Sequence, residues 1–186
     1  MRTISTIVLL FITLTAFAEP RVRPDTWAAP VIGTDQKNLY QINKGLFRSE
    51  QPEREDTDKL QALGIKEVLN LREFHSDKRE FRKTTITLHH LKINTDNLNE
   101  TDLINSLRII KNKKGPLLVH CWHGSDRTGT VVAAYRIIFD NWSKQQALDE
   151  MINGGYGYHA SLYQNLVTLI NEVDVNKIKK ALQIPL

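Results

Sequence analysis

The stretch LLVHCWHGSDRTGTVVAAYRIIF, residues 117–139, restricts the fold more than any other part of the chain. Leu117–His120 is apolar without alternation, the composition of a central strand covered on both faces. Thr128–Phe139 is apolar nearly all round, so the helix it predicts is a buried one. Between them lies a short polar loop in which Gly124 and Gly129 let the backbone turn and approach its neighbours closely. Strand, tight loop and buried helix in succession point to a sheet with helices against it.

The rest of the chain continues the same pattern. Residues 38–52 read as two short strands joined by a turn at Asn43-Lys44-Gly45. Residues 55–63 form a short helix, with acids in its first turn, Leu60 and Leu63 on one face, and Gly64 at its end. Strands are expected over 65–71 and 86–93 from their apolar periodicity. Asn99 caps a helix whose buried stripe is Leu103, Ile104, Leu107 and Ile110, and Gly115-Pro116 ends it. Ser143 with Gln146, and Ser161 with Gln164, each match a capping box. The order predicts an α/β domain with a central, mostly parallel sheet flanked by helices.

Residues 1–18 stand apart. A cationic start, the mostly apolar run Ile4–Phe17 and the small-x-small ending Ala16-Phe17-Ala18 predict a cleaved export signal. Residues 19–186 then form one domain, secreted or periplasmic, with no later segment approaching the ~20 apolar residues of a membrane span. The net charge of +4 is mild and gives no reason to expect a nucleic-acid partner, although the runs 77–83 and 111–114 are basic. A single cysteine, Cys121, rules out an internal disulfide and needs its own explanation in an exported chain.

The loop supplies that explanation. A loop between a strand and a helix aims backbone N–H groups and the positive end of a helix dipole into one small space, a nest for an anion of phosphate size. The residues placed to form it are Cys121, Trp122, His123, Gly124, Ser125, Asp126 and Arg127. Arg127 can fork two N–H groups onto phosphate oxygens. The same field favours thiolate over thiol, making Cys121 a nucleophile facing the bound phosphorus.

The pattern His-Cys-x2-Gly-x2-Arg-Thr-Gly resembles the signature loop of the cysteine-dependent protein tyrosine and dual-specificity phosphatases. "GLFRSEQP", "LGIKEVLNLREF" and "ALDEMINGGYG" resemble other parts of compact members of that superfamily. The resemblance implies a compact dual-specificity phosphatase-like fold. It implies that Cys121 attacks the phosphorus, that a thiophosphate intermediate forms and that water hydrolyses it. Arg127 then holds the equatorial oxygens. Thr128 either offers its hydroxyl to the sulfur or serves as a helix-start residue. His120 and Gly129 support the loop. The family's proton donor is an aspartate on a preceding loop, here Asp96 ahead of Asp102; Asp126 inside the loop is the rival, as acid or as brace.

"NLREFHSDKREFRK", residues 70–83, partly resembles a stretch of the phosphatase-like phytases, with Asn70 in place of their aspartate. With export, it favours an inositol polyphosphate such as phytate as substrate. The alternatives are phosphotyrosine or mixed phosphoproteins, and phosphoinositides. No cofactor is expected, and no metal: His120, Cys121 and His123 are poorly arranged for zinc because adjacent strand residues point to opposite faces. A non-catalytic phosphate-binding module would not need Cys121, and an arsenate-reductase-like or rhodanese-like enzyme fits less well, for want of further cysteines or of a reason for Arg-Thr-Gly.

Overall fold

The structure is a computed structural model and describes residues 22–185. Residues 1–18, expected to be an export signal, lie outside the described residues. In chain order the elements are β1 (Ala29–Pro30), β2 (Tyr40–Asn43), β3 (Leu46–Ser49), α1 (Thr57–Ala62), β4 (Glu67–Asn70), β5 (Thr87–His90), α2 (Glu100–Asn112), β6 (Leu117–His120), α3 (Asp126–Phe139), α4 (Lys144–Asn153), α5 (Gln164–Glu172) and α6 (Val175–Ala181). A turn of 3-10 helix, Arg54–Asp56, leads into α1.

The strands form a six-stranded sheet in the order β1-β2-β3-β6-β4-β5. The β3–β6, β6–β4 and β4–β5 pairs are parallel, and the β1–β2 and β2–β3 pairs are antiparallel. The sheet is therefore mixed, its parallel half built as expected around β6. The antiparallel half follows from the hairpin at Asn43-Lys44-Gly45, where the Gly45 N–H donates to the Asn43 side chain. A register shift between Gln41 and Asn43 marks a bulge in that hairpin.

Side chains alternate across the sheet and split into two cores. Leu46, Leu69, Leu117 and Val119 point into the larger one, with the apolar faces of α2 to α6. Phe47, Val68 and Leu118 point into a smaller one closed by Leu60 of α1, Leu39, Ile65, Phe81 and Ile86. Glu150 of α4 ties the larger core together: its carboxylate accepts from Arg136 Nε at 2.8 Å, from the Ala28 N–H at 2.6 Å and from the Tyr156 hydroxyl at 3.1 Å.

Two local expectations need correction. Strand pairing in the 65–71 and 86–93 segments is confined to four residues each, because the chain beyond Asn70 and His90 leaves the sheet to build the site. Ser161 does not cap α5. Tyr163 occupies the N-cap without a side-chain cap bond, because residues 160–162 form a turn and the helix starts only at Gln164. The boxes at Asn99–Asp102 and Ser143–Gln146 are both formed. No helix among the described residues is long and apolar enough to cross a membrane.

Candidate active site

Ser49, His120, Asn70 and His90 lie side by side at the carboxyl ends of the parallel strands. The chain segments leaving those ends converge on one edge, where ligands bind in open α/β sheets. The loop after β6 passes through this crevice into α3, whose N-terminus faces it. Gly124 takes φ of 71° there, and a Cβ would lie 2.3 Å from the Ser49 carbonyl oxygen, so only glycine fits. The N–H groups of residues 122–127 donate to no acceptor among the described residues. Successive amides without protein acceptors form a donor set that an anion would satisfy together.

Cys121 is 2% exposed, yet it lines a cavity of about 170 Å³ together with Arg127, Asp126, Trp122, His123, Thr95, His159, Leu162 and Tyr163. The Arg127 guanidinium is steered from the side: Nη1 donates to the Ile93 carbonyl at 3.2 Å and approaches that of Leu71 at 3.4 Å. Arg72, from the segment after β4, lies with its guanidinium 4.7 Å from the Trp122 ring centroid and donates to Gln51 Oε1 at 3.1 Å. Burial first, then the like charge of Arg127, lowers the Arg72 guanidinium below its ordinary range. Both guanidinium-bearing residues line one cavity, where an anion would relieve their mutual repulsion.

The floor is built from buried polar groups. His120 is fully buried; its Nε2 bonds Asp77 Oδ2 at 2.8 Å and its Nδ1 lies 3.0 Å from the Cys121 carbonyl oxygen. Asp77 also accepts from Gln51 Nε2 at 3.0 Å and Asn70 Nδ2 at 2.9 Å. Burial opposes charge on Asp77, but the bonds from His120 and Gln51 outweigh it and hold the carboxyl below the usual carboxylate range. Arg48 of β3 is fully buried, donates to the Gly124 carbonyl at 2.6 Å and lies 3.6 Å over the Tyr156 ring, while its Nε and Nη1 have no partner. Burial lowers the Arg48 guanidinium and raises the Tyr156 hydroxyl to about 12.

The remaining sequence-predicted residues differ in their surroundings. Thr128 is fully buried in the first turn of α3 and its hydroxyl has no partner among the described residues; it caps nothing, the N-cap being Ser125. Asp126 is buried, and both its oxygens are engaged by His159, Oδ1 by the backbone N–H at 3.0 Å and Oδ2 by Nδ1 at 2.9 Å. Asp96 is exposed, and its carboxylate bonds no described residue. It lines a second cavity, about 250 Å³, that shares Arg127, Trp122, Thr95 and Tyr163 with the first. Asp102 is occupied in the capping box of α2. Gly129 faces Met151, where a Cβ would sit 3.1 Å from its Cγ.

No residue of the basic run 77–83 lines the cavities around Cys121, whereas Arg72, ahead of that run, does. Arg79 lines a separate one with Glu53, Glu55 and Glu80. The mouth instead exposes Phe74, Trp122 and Leu162, at 92%, 59% and 69%. Sequence reasoning missed Arg48, Asp77 and His159. Arg48 carried a signal, since it shares the strand phase of Leu46 and so puts a charge at a core position. Asp77 and His159 lie far along the chain from the loop they support, and no local spacing marks them.

Residues 35–183 match the model of the tyrosine phosphatase family. Over 137 residues the chain is 33% identical to the dual specificity protein phosphatase TpbA of Pseudomonas aeruginosa; the match covers 73% of this chain and 62% of TpbA. The crystal structure of TpbA in complex with pTyr superposes with a TM-score of 0.79 at 29% identity, covering 87% of this chain and 99% of that one. The inositol diphosphatase SIW14 of Saccharomyces cerevisiae is 25% identical over 152 residues, 76% of this chain and 54% of SIW14. The chain thus spans roughly half to three fifths of the length of these curated relatives.

Proposed function

The chain belongs to the tyrosine phosphatase family, and from that premise we propose that it is an exported phosphomonoesterase working through a cysteinyl-phosphate intermediate. Cys121 Sγ attacks phosphorus and the ester P–O bond breaks. The N–H groups of residues 122–127 and the Arg127 guanidinium hold the non-bridging oxygens as their charge redistributes. Water then cleaves the S–P bond, and the thiolate leaves with the buried Thr128 hydroxyl as its hydrogen-bond donor. The observation that carries this reading is that the loop whose amides lack protein acceptors lines one cavity with Cys121 and Arg127.

Asp96 is the proton donor in this reading. Its carboxylate is free and lines the outer cavity beside Arg127, whereas both oxygens of Asp126 are already taken by His159. Asp126 braces the loop.

The mouth selects an aryl phosphate, with phosphotyrosine in a peptide the leading substrate class. Phe74, Trp122 and Leu162 offer apolar contact, while Glu50, Glu53, Glu73 and Asp96 line the neighbouring cavities and repel a ligand dense in phosphates. TpbA bound to pTyr supports the same choice. Inositol polyphosphate is the second reading, favoured by the Arg72–Arg127 pair and by the likeness to an inositol diphosphatase.

The test is phosphate release from a phosphotyrosine peptide and from inositol hexakisphosphate at equal concentration, with and without chelator. The peptide is expected to turn over at least about tenfold faster, and a reversed ratio installs the second reading. Export is checked by N-terminal sequencing of the protein from the periplasm or medium: a start at Glu19 is expected, and a retained Met1 in the cytoplasm contradicts it.

A further inference from the structure

We propose that His123, Asp126 and His159 form a binding site for a divalent transition metal of the Zn²⁺ type at the mouth of the phosphate loop, through which such a metal reversibly blocks the cavity. Each residue offers one ligand atom, and these atoms lie within 4.8 Å of one another. His159 Nδ1 and Asp126 Oδ2 are already 2.9 Å apart. Tetrahedral zinc with bonds of about 2.0–2.2 Å brings its donors to about 3.3 Å from each other, so only His123 has to move inward.

His123 is free to do so. It is exposed, its ring makes no hydrogen bond to a described residue, and it stands 5.5 Å from the His159 ring, tilted by 56°, with a stacking contact to Trp122 at 5.7 Å as the one ring contact that moving inward gives up. The other two ligands are fixed: Asp126 is buried at the start of α3, and His159 is tethered to it twice. Two imidazoles and one carboxylate suit zinc and its neighbours in the transition series; magnesium and calcium favour all-oxygen sets.

Cys121, Arg127 and all three ligands line one cavity. A metal held there occupies space beside Cys121 and Arg127 that a substrate phosphate would need, and it replaces the Asp126–His159 side-chain hydrogen bond with a shared metal while the His159 backbone N–H stays on Asp126. Metal binding stands on these three side chains alone, whereas the inhibitory outcome rests on the phosphatase reading, so the two are measured separately.

Isothermal titration calorimetry of full-length Cys121→Ser with Zn²⁺ removes the thiolate as a competing ligand. One zinc is expected to bind, with no heat from Mg²⁺. His123→Ala and His159→Ala, each added to Cys121→Ser, are expected to weaken zinc binding by at least about tenfold. His123→Ala alters an exposed side chain, so its effect is independent of folding. Loss of zinc binding in Cys121→Ser itself, or unchanged affinity in either histidine variant, overturns the site. In the wild-type chain, zinc inhibition of phosphate release is expected to be reversed by chelator and weakened by His123→Ala; irreversible or unchanged inhibition overturns the blocking role. If the chain hydrolyses no phosphate ester, the calorimetry still decides the metal site.

Discussion

The floor of the site and its mouth are built on opposite principles. Below the loop, Asp77, His120, Asn70 and Gln51 form a buried network in which each polar side chain touches the next, and Arg48 pins the Gly124 carbonyl. Around the opening, Phe74, Trp122 and Leu162 stand in solvent, and Asp96 bonds no described residue through its carboxylate. The floor spends desolvation on rigidity, which keeps the loop amides aligned before any anion arrives. The mouth is held by fewer polar contacts, which leaves Asp96 the freedom that the proposed proton delivery would need. Substitutions in the floor should therefore change geometry and stability, and those in the mouth should change turnover and affinity while leaving the fold intact.

The largest effect that would sharpen this contrast is at Asp96. Asp96→Asn is expected to lower kcat by about 10²–10⁴ on an ester with a poor leaving group, and far less on nitrophenyl phosphate, with Tm unchanged. Equal losses on both substrates would remove Asp96 as the proton donor. Arg48→Met probes the floor: kcat/KM should fall by about 10², because the carbonyl that orients the loop loses its donor. Its Tm should hold or rise, since a desolvated cation with two unpaired nitrogens is replaced by an apolar chain of similar length. A large fall in Tm would show that Arg48 is a net stabiliser.

Asp77→Asn should cost about 1–3 kcal/mol in denaturant unfolding at neutral pH. The sign with pH follows from its lowered pKa. The charged carboxylate contributes stability above its unfolded value of about 3.9 and loses it as pH falls through the lower folded value. The difference between wild type and variant should therefore shrink below about pH 4, and a constant difference would exclude the charge as its source. The smallest effect is at the rim: Phe74→Ala should raise KM for a phosphotyrosine peptide by up to about tenfold, about 1.4 kcal/mol, without altering kcat. A change in kcat alone would place Phe74 outside substrate binding.

The strand, loop and helix over 117–139 were legible because their periodicity and glycines leave few alternatives, and they brought Cys121, Arg127 and the unpaired amides together at the expected place. The hairpin and two of the three expected helix caps were legible for the same local reasons. What stayed out of reach was the order of the strands, because the placing of this hairpin with β3 beside β6 and β1 at the edge is set by pairings between distant segments and not by local periodicity. The role of the basic run 77–83 was not legible, since composition carries no direction, and its cations stand in solvent or beside acids. Asp77 and His159 were invisible because their partners are 43 and 33 residues away in the chain, joined only by the fold.

The most direct measurement is intact-mass analysis of protein acid-quenched during turnover of a phosphotyrosine peptide, followed by peptide mapping. One phosphoryl group on Cys121 is predicted, absent from Cys121→Ser, which should still bind substrate. Undiminished hydrolysis by Cys121→Ser, or a phosphoryl group mapped to any other residue, would contradict the account.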